Sequence, residues 1–326
     1  MKTTYRLLSL ICAFALALAC GGSLAQGYPN KPIKLVVGYA PGGGTDILAR
    51  MIGQKLSEQL GRSVVVENKP GADAAIGAEY VAKSPPDGYT FFVGTSAEMV
   101  FNSCLNPRLP YDPVRDFVPV IHLSRTPMIF AVNHAFPANS MKELVAAARA
   151  KPGGVFYSSG TAHFRVGAEL FNKQAGIKIV HVPYKGSGPA VNAAVAGEVS
   201  VVVTSVASSM AQLKAGKLRA LAVTSSKRSV FLPDVPTLPE SNLDFEVGEG
   251  VPSWTGLFAP AGTPGAIIDK LYNEALAALK SDSIKERFAT LGYEMSGASP
   301  AELSVAHKAE LAKWTKIVRD LGLRSE

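Results

Sequence analysis

Cysteine is scarce in this chain of 326 residues. Only three cysteines occur, and two of them, Cys12 and Cys20, lie within the first 25 residues. Without that segment Cys104 remains alone, which excludes an intramolecular disulfide. We expect Cys104 to be a small buried residue rather than a nucleophile, because the sequence places no obvious base for it.

Metal and catalytic motifs are missing as well. The five histidines show neither an HxxxH spacing nor a cysteine–histidine cluster, so no zinc site is predicted. Residues 42–47 do not match GxGxxG, no GxxxxGK[ST] phosphate loop occurs, and the serines near Gly94 and Gly186 lack the GxSxG nucleophile elbow. The sequence therefore predicts no cofactor and no enzymatic activity.

Charged residues form no long runs. The formal net charge is +7, which falls to +5 without Lys2 and Arg6. Lysines and arginines are spread along the chain without an aromatic-interleaved basic stripe, which argues against binding of nucleic acid. A mildly positive chain favours small anionic ligands instead.

One apolar run stands out, at residues 7–19, directly after a basic N-terminus. It is typical of an export signal and is shorter than the roughly 20 residues that span a bilayer. Small residues at Ser23 and Ala25 predict cleavage after Ala25, so that residues 1–25 are a signal peptide and the mature protein is periplasmic. The alternative is processing as a lipoprotein at Cys20.

Short apolar runs alternate with stretches of helical periodicity along the rest of the chain. From Asp46 to Gly61 the apolar residues fall on one helical face, and strand-like runs flank this helix. Strand, glycine loop, helix and strand make a βαβ unit. The predicted strands are 33–39, 63–67, 90–93, 128–132, 155–157, 177–182, 199–203 and 218–223. The fold class is therefore α/β.

The length of the mature chain, with 47% hydrophobic residues, suggests two lobes. No long polar linker separates them, so short crossings are expected, at 128–132 and 221–224. Lobe 1 would then comprise residues 26–129 and 225–326, and lobe 2 residues 130–224.

Several predicted strands end in a loop of small residues that opens a helix. Ligands of open α/β sheets bind outside the carboxyl ends of the strands. Helix N-termini there present unpaired N–H groups and a positive dipole end, worth about 0.3–1 kcal/mol each to an anion. Any single glycine loop also has a purely geometric explanation, but several together predict a carboxylate clamp. The candidate ligand-binding residues are Ala40, Pro41, Gly42, Gly43, Gly44, Thr45, Asp46, Thr95, Ser96, Glu98, Ser158, Ser159, Gly160, Thr161, His163 and Tyr184.

Three of these candidates carry titratable groups. Asp46 is expected to be the N-cap of the first helix and to shape the pocket, since its charge would repel an anion. His163 opens a helix beside the predicted pocket, and a solvated or capping histidine explains it equally well. Glu98 either lies in the first turn of a helix and points to solvent, or pairs with a cationic group of the ligand.

Residues 38–50, GYAPGGGTDILAR, closely resemble the PGGxxDxxAR signature of the Bug family, the extracytoplasmic receptors of tripartite tricarboxylate transporters. Further blocks of the same resemblance follow in order over nearly the whole mature chain. They are 66–72, 76–78, 86–90, 109–113, 182–186, 235–237 and 259–264.

The resemblance implies a type II periplasmic binding fold whose lobes close by a hinge over a small organic anion, often a carboxylate. It also implies binding through the loops matching 40–46 and 158–163, partly by ordered waters. The sequence departs from the family pattern at residues 200–205, which lack a common acidic residue and leave Thr204 and Ser205 as candidates for the floor of the pocket. It departs again at 239–242 (PESN), where a glycine-containing turn is common.

Taken together, the residues and the resemblance predict a monomeric solute receptor that delivers an organic anion to the membrane permease subunits of a tripartite tricarboxylate transporter. One alternative is a ligand-sensing receptor for a signalling partner. A second, less favoured alternative is a secreted hydrolase or isomerase on the same fold. An enzyme requires a nucleophile and a base within hydrogen-bonding reach of each other.

Export with cleavage is directly testable. Mass spectrometry of the periplasmic fraction is expected to detect a chain that begins at Gln26, because signal peptidase cleaves after small residues. An intact N-terminus, or a lipid on Cys20, would contradict a freely diffusing receptor.

Overall fold

The structure is a computed structural model that describes residues 27–241 and 250–324. The predicted signal peptide, its cleavage site and Cys20 lie outside these residues, as does Asn242. No helix of the two described ranges is long and apolar enough to span a bilayer.

The described residues alternate between strands and helices, as the sequence predicts for an α/β protein. The strands are β1 (Ile33–Val37), β2 (Val64–Asn68), β3 (Thr90–Thr95), β4 (Phe117–Arg125), β5 (Met128–Asn133), β6 (Phe156–Ser159), β7 (Val180–Pro183), β8 (Val201–Ser205), β9 (Leu218–Val223), β10 (Trp254–Pro260) and β11 (Glu294–Met295). The helices are α1 (Gly44–Leu60), α2 (Ala75–Ala82), α3 (Asn102–Leu105), α4 (Met141–Ala150), α5 (Ala162–Ala175), α6 (Ser187–Ala196), α7 (Val206–Lys214), α8 (Gly265–Lys280), α9 (Asp282–Leu291) and α10 (Pro300–Leu321). A π-helical turn at Ala97–Phe101 and a 3₁₀ turn at Pro239–Ser241 complete the set.

The strands form two sheets, one in each lobe. The first has the order β11-β4-β10-β3-β1-β2, and the second the order β7-β6-β8-β5-β9. Strand β1 runs parallel to β2 and β3, and β6 runs parallel to β7 and β8. The carboxyl ends of these parallel strands therefore carry the loops that begin α1, α5, α6 and α7.

The chain passes between the lobes at two neighbouring points. Strand β4 ends in the first sheet and β5 begins in the second, with Thr126 and Pro127 between them. The predictions that residues 128–132 and 221–224 form the crossings are wrong, because 128–132 lie in β5, between β8 and β9, and 221–223 lie in β9. Backbone hydrogen bonds hold the two passages together: Thr126 N–H donates to Ser253 O at 3.0 Å, and Thr224 N–H to Met128 O at 2.9 Å.

We propose lobe boundaries that follow the sheets, with the first crossing at residues 126–127 rather than at 129–130. The last part of the chain returns to the first lobe, where Trp314 of α10 packs on Phe101 with ring centroids 4.9 Å apart. Cys104, expected to be buried, is half-buried there, and burial raises the pKa of its thiol.

Strand β4 escapes prediction from the sequence. Its segment FVPVIHLSR contains Pro119, which lacks the N–H that a sheet ladder needs. The structure accommodates this proline opposite Phe258 of β10, next to a register shift between Leu257 and Phe258. The segment becomes a strand through its pairing with β10 and β11, which both lie more than a hundred residues away.

The predicted end of the first helix agrees with the structure. Helix α1 stops at Gly61, which has a left-handed φ of 62°. Helix α10 begins with a full capping box, in which Ser299 Oγ accepts from Glu302 N–H and the Glu302 carboxylate accepts from Ser299 N–H.

Candidate functional site

Four helices point their N-termini at one interlobe cavity. Helix α1 of the first lobe begins at Gly44, and α5, α6 and α7 of the second lobe begin after Thr161, at Ser187 and after Ser205. All four of these residues line the cavity. The positive ends of four helix dipoles therefore converge on one small volume.

Three of these helix starts are not capped by a side chain. The N-cap residues Gly43, Thr161 and Gly186 make no side-chain cap hydrogen bond, whereas Ser205 Oγ accepts from Ser208 N–H. Backbone N–H groups in a first turn have no partner within the helix, so such a terminus is suited to bind an anion.

The cavity has a volume of about 30 Å³ and an uncharged, hydroxyl-rich wall. Its lining residues are Gly44, Thr45, Thr95, Thr126, Thr161, His163, Phe164, Ser187, Ser205, Ser208, Ser253, Trp254, Thr255 and Tyr293. No aspartate, glutamate, lysine or arginine is among them. Negative charge placed here would be stabilised by dipoles and hydroxyl groups alone.

Glycines let the two lobes approach each other across this cavity. A Cβ atom on Gly188 of the second lobe would lie 3.1 Å from the Gly42 carbonyl carbon and from Gly43 N. Ala40 N–H donates to Lys185 O at 3.0 Å. The glycine loop of α1 thus rests directly on the loop that precedes α6.

Asp46 holds the glycine loop in place. Its carboxylate accepts from Gly42 N–H at 3.0 Å, from Asn68 Nδ2 at 2.9 Å and from Arg50 Nε at 3.1 Å. Burial alone would raise the pKa of Asp46, but these hydrogen bonds outweigh it and lower the pKa. The predicted N-cap role is wrong, because Gly43 is the N-cap. Asp46 lies within the first turn and reaches back to the loop.

Tyr293 fastens the first turn of α1 from the other side. Its hydroxyl donates to Gly44 O at 2.6 Å, and Gly44 N–H donates to Ser208 Oγ at 3.2 Å. Burial raises the pKa of Tyr293 far above the physiological range, so the hydroxyl stays a donor. One contact comes from each lobe, and together they define where the helix begins.

His163 is a neutral residue of the cavity wall. It is 3% exposed, its Nε2 hydrogen-bonds Ser253 Oγ at 3.2 Å, and its Nδ1 has no partner. Burial lowers the pKa of His163 to about 3. The solvated interpretation is therefore wrong, and so is the capping one, since Thr161 is the N-cap of α5.

Glu98 is fully buried directly behind the cavity wall. Its Oε2 accepts hydrogen bonds from the N–H and the hydroxyl of Thr95, a lining residue, whereas its Oε1 has no partner. The expectation that Glu98 points to solvent is wrong. Burial raises the pKa of Glu98 to about 7, against the opposing effect of the Thr95 hydrogen bonds.

Other predicted site residues use their hydroxyl groups on the scaffold. Ser158 Oγ donates to Ala190 O at 2.8 Å, and Ser96 Oγ to Pro252 O at 2.7 Å. Ser159 Oγ hydrogen-bonds a ring nitrogen of His181, and Tyr184 OH donates to Glu198 at 3.1 Å. Thr204 is fully buried and its Oγ1 has no partner, but it does not line the cavity.

Two further hollows border the cleft, but the four helix N-termini do not converge on them. One of about 260 Å³ is lined by Tyr39, Gly160, Tyr184 and neighbouring residues. Another, of about 380 Å³, lies beside the lobe crossings and includes Arg125 and Lys313. These hollows are larger than the central cavity, but the four helix N-termini converge only on the central one.

The family model of the "Tripartite tricarboxylate transporter family receptor" matches residues 48–323. The chain belongs to this receptor family. BugT of Bordetella pertussis is 34% identical over 325 residues, which cover 98% of either chain. A UPF0065 protein from the tcbD-tcbE intergenic region of Pseudomonas sp. strain P51 is 35% identical over 97% of this chain and 95% of its own length.

Solved structures give the same family and confirm the predicted type II periplasmic binding fold. The periplasmic binding protein BugD superposes with a TM-score of 0.87 at 31% identity, over 92% of this chain and 100% of its own. Rpa4515 of R. palustris, solved with adipate, gives 0.87 at 36% identity, over 91% and 99%. MatC from Rhodopseudomonas palustris, with bound malate, gives 0.85 at 30% identity, over 89% and 100%. The chain is thus a solute-binding receptor of the TctC type, a periplasmic family that works with tripartite transporters.

Several lining residues of this TctC receptor were missed in the sequence. Ser208 follows the N-cap Ser205 by three residues, a spacing that suggests a cap but not a ligand contact. Thr126, Ser253 and Tyr293 come from the lobe crossings and from the returning chain. No local motif marks them, because their position depends on the way the two lobes meet.

The buried carboxyl group of Glu98 predicts a pH-dependent stability. With a folded pKa of about 7 against the ordinary 4.5, the folded state retains a proton that the unfolded state releases. This contribution is complete below the ordinary pKa and is lost as the pH rises through 7. Glu98→Gln removes it, so the variant should gain stability over wild type at pH 8 relative to pH 5, by on the order of 1–3 kcal/mol.

Urea unfolding of both ligand-free proteins at the two pH values measures this difference, and circular dichroism verifies the fold of the variant. The same stability difference at pH 5 and pH 8 would show that Glu98 is already ionised in the folded receptor.

Proposed function

We propose that this receptor captures a small organic carboxylate in the interlobe cavity and delivers it to the membrane permease of a tripartite transporter. The convergence of four helix N-termini on an uncharged, hydroxyl-lined cavity carries the proposal. The adipate of Rpa4515 and the malate of MatC support a carboxylate as the ligand class. We also propose that the receptor is exported to the periplasm, that it is a monomer, and that its partners are the permease subunits.

Each lobe would supply part of the carboxylate clamp. Thr45 offers a hydroxyl group from the first lobe, and Thr161 and Ser205 offer them from the second. Thr161 is the clearest case, since its Oγ1 is buried and has no partner in the protein. A hydroxyl in that position can donate to an anion without giving up another bond. The remaining predicted residues, in the loops at 40–46 and 158–163, would shape the clamp.

Ligand entry requires the lobes to separate. A cavity of about 30 Å³ matches the share of a single water molecule in the liquid, and a dicarboxylate is several times larger. The lobes touch through the Ala40–Lys185 hydrogen bond and are connected by the paired crossings at Thr126 and Thr224. We infer a hinge at these crossings, with the ligand held between the lobes.

We also infer that the protein is not an enzyme. Ser253 and His163 do form a serine–histidine pair at 3.2 Å in the cavity wall. A pKa of about 3, caused by burial, makes this histidine a poor base at neutral pH. Its Nδ1 has no partner, so no carboxylate orients the ring as a catalytic triad requires.

A thermal-shift screen of the mature chain against mono-, di- and tricarboxylates, aromatic acids and amino acids tests the ligand class. A ligand at 100 times its Kd should stabilise the protein by about 2.7 kcal/mol. If no carboxylate raises the melting temperature, the proposed function is wrong. If the receptor serves sensing instead, the screen would identify the same ligand, but cellular uptake of that ligand would not depend on the permease genes.

Two buried threonines provide a matched pair of variants for the ligand that the screen identifies. Thr161→Val should weaken binding about tenfold or more, because it removes a charge-assisted hydrogen bond worth about 1.5–3 kcal/mol. Thr204→Val removes an equally buried hydroxyl outside the cavity and should leave the Kd unchanged. Isothermal titration measures both. Equal effects of the two substitutions would count against the clamp.

Hinge closure predicts a measurable change of shape. Small-angle scattering should show a smaller radius of gyration with saturating ligand than without it, because the ligand bridges the two lobes. A radius that stays constant while calorimetry shows full occupancy would refute the hinge.

A further inference from the structure

Glu98 is a charged group next to a cavity whose wall is otherwise neutral. No aspartate, glutamate, lysine or arginine of the described residues lines the cavity, and its one histidine, His163, is neutral. Glu98 is joined to that wall through Thr95, whose N–H and hydroxyl both bind Oε2, the N–H at 2.9 Å. Thr95 therefore lies between the Glu98 carboxylate and the cavity.

The second oxygen of this carboxylate is unpaired. Oε1 is buried and has no hydrogen-bond partner, although the side chain is completely enclosed. Buried polar atoms in folded proteins are nearly always paired, so an unpaired carboxylate oxygen next to a ligand cavity calls for an explanation. Glu98 also lies in the π-helical turn Ala97–Phe101, an arrangement frequently found at functional sites.

Among the described residues, the neighbours of Glu98 provide no positive charge. Tyr111 OH donates to the Glu98 backbone carbonyl at 2.9 Å, and Tyr39 OH lies 3.5 Å from Thr95 Oγ1 and also interacts with the Glu98 carboxylate, whose pKa it lowers. His307 of α10 binds the carbonyl of Met99 in the same π-helical turn, and His163 of α5 lies against Phe101. Burial lowers the pKa of both histidines, so they are neutral at physiological pH.

We propose that the ligand carries a cationic nitrogen as well as a carboxylate, and that Glu98 Oε1 binds this nitrogen beside Thr95. The ligand class is then an aminocarboxylate, held at its carboxylate by the helix N-termini and at its ammonium group by Glu98. This inference rests on the proposed carboxylate-binding function and narrows it. It gives Glu98 the counterion that the protein itself does not supply, and a charge-assisted bond of this kind is strong in a desolvated site.

Pairs of probes that differ by one amino group test the proposal on the full mature chain. Suitable pairs are aspartate with succinate, glutamate with glutarate, and alanine with propionate, measured by isothermal titration at pH 8. We expect the amino member of at least one pair to bind tenfold or more tightly than its partner. Glu98→Gln should abolish that preference and leave the deaminated acid equally or more tightly bound, which also shows that the variant folds.

The pH dependence of the wild-type protein gives an independent readout. If ionised Glu98 binds the ammonium group, affinity for the amino probe should rise between pH 5.5 and pH 8, in line with a carboxyl pKa of about 7. If protonated Glu98 instead donates to a ligand oxygen, affinity should fall over that range. The charge of Asp73 also acts on Tyr39 and Tyr111. The same pH series with Asp73→Asn shows whether ionisation of Asp73 contributes to the change in affinity.

The outcomes separate this inference from the function on which it rests. Tighter binding of the deaminated acids, with Glu98→Gln without effect, would overturn the aminocarboxylate inference and leave the carboxylate receptor intact. Absence of binding by every carboxylate probe would overturn both.

Discussion

The geometry of the cleft depends on how a glycine loop without a side-chain cap is held rigid. Asp46 provides the answer, since it binds Gly42 N–H from within the helix that the loop begins. Arg50 and Asn68 hold the carboxylate in turn, and Asn68 also donates to Tyr39 O at the end of β1. Strand, loop and helix are thereby connected through one buried carboxylate, and the first turn of the helix faces the other lobe, where Gly44 N–H donates to Ser208 Oγ.

This arrangement separates the binding of charge from the choice of ligand. Helix dipoles and hydroxyl groups stabilise any carboxylate of suitable size, because backbone donors carry no side-chain identity. Selectivity must then come from the side chains around the cavity and from its dimensions. Glu98 behind the wall and the narrow gap between Gly42 and Gly188 are features of this kind in this chain. A receptor built in this way can change its ligand by few substitutions.

Sequence reasoning found most of the strands with continuous apolar runs and the loops after them, because both signals are local. It missed β10 and β11, and it missed β4, whose Pro119 lies opposite a register shift in β10. It placed Asp46 in the correct turn but in the wrong role, since a reach back to Gly42 depends on the loop conformation. Tyr293 could not have been found, because nothing near it in sequence indicates that its hydroxyl meets Gly44.

The strand order of the first sheet determines how the chain can acquire its structure. Strand β10 lies between β3 and β4, although it is separated from both by the entire second lobe. The second sheet, in contrast, uses only residues 128–223. The second lobe can therefore fold from one continuous stretch, whereas the first sheet remains split until residues 254–260 arrive. Contacts of such long sequence separation form slowly. The incomplete sheet exposes the edges of β3 and β4 meanwhile, and unpaired strand edges make such a state prone to aggregation.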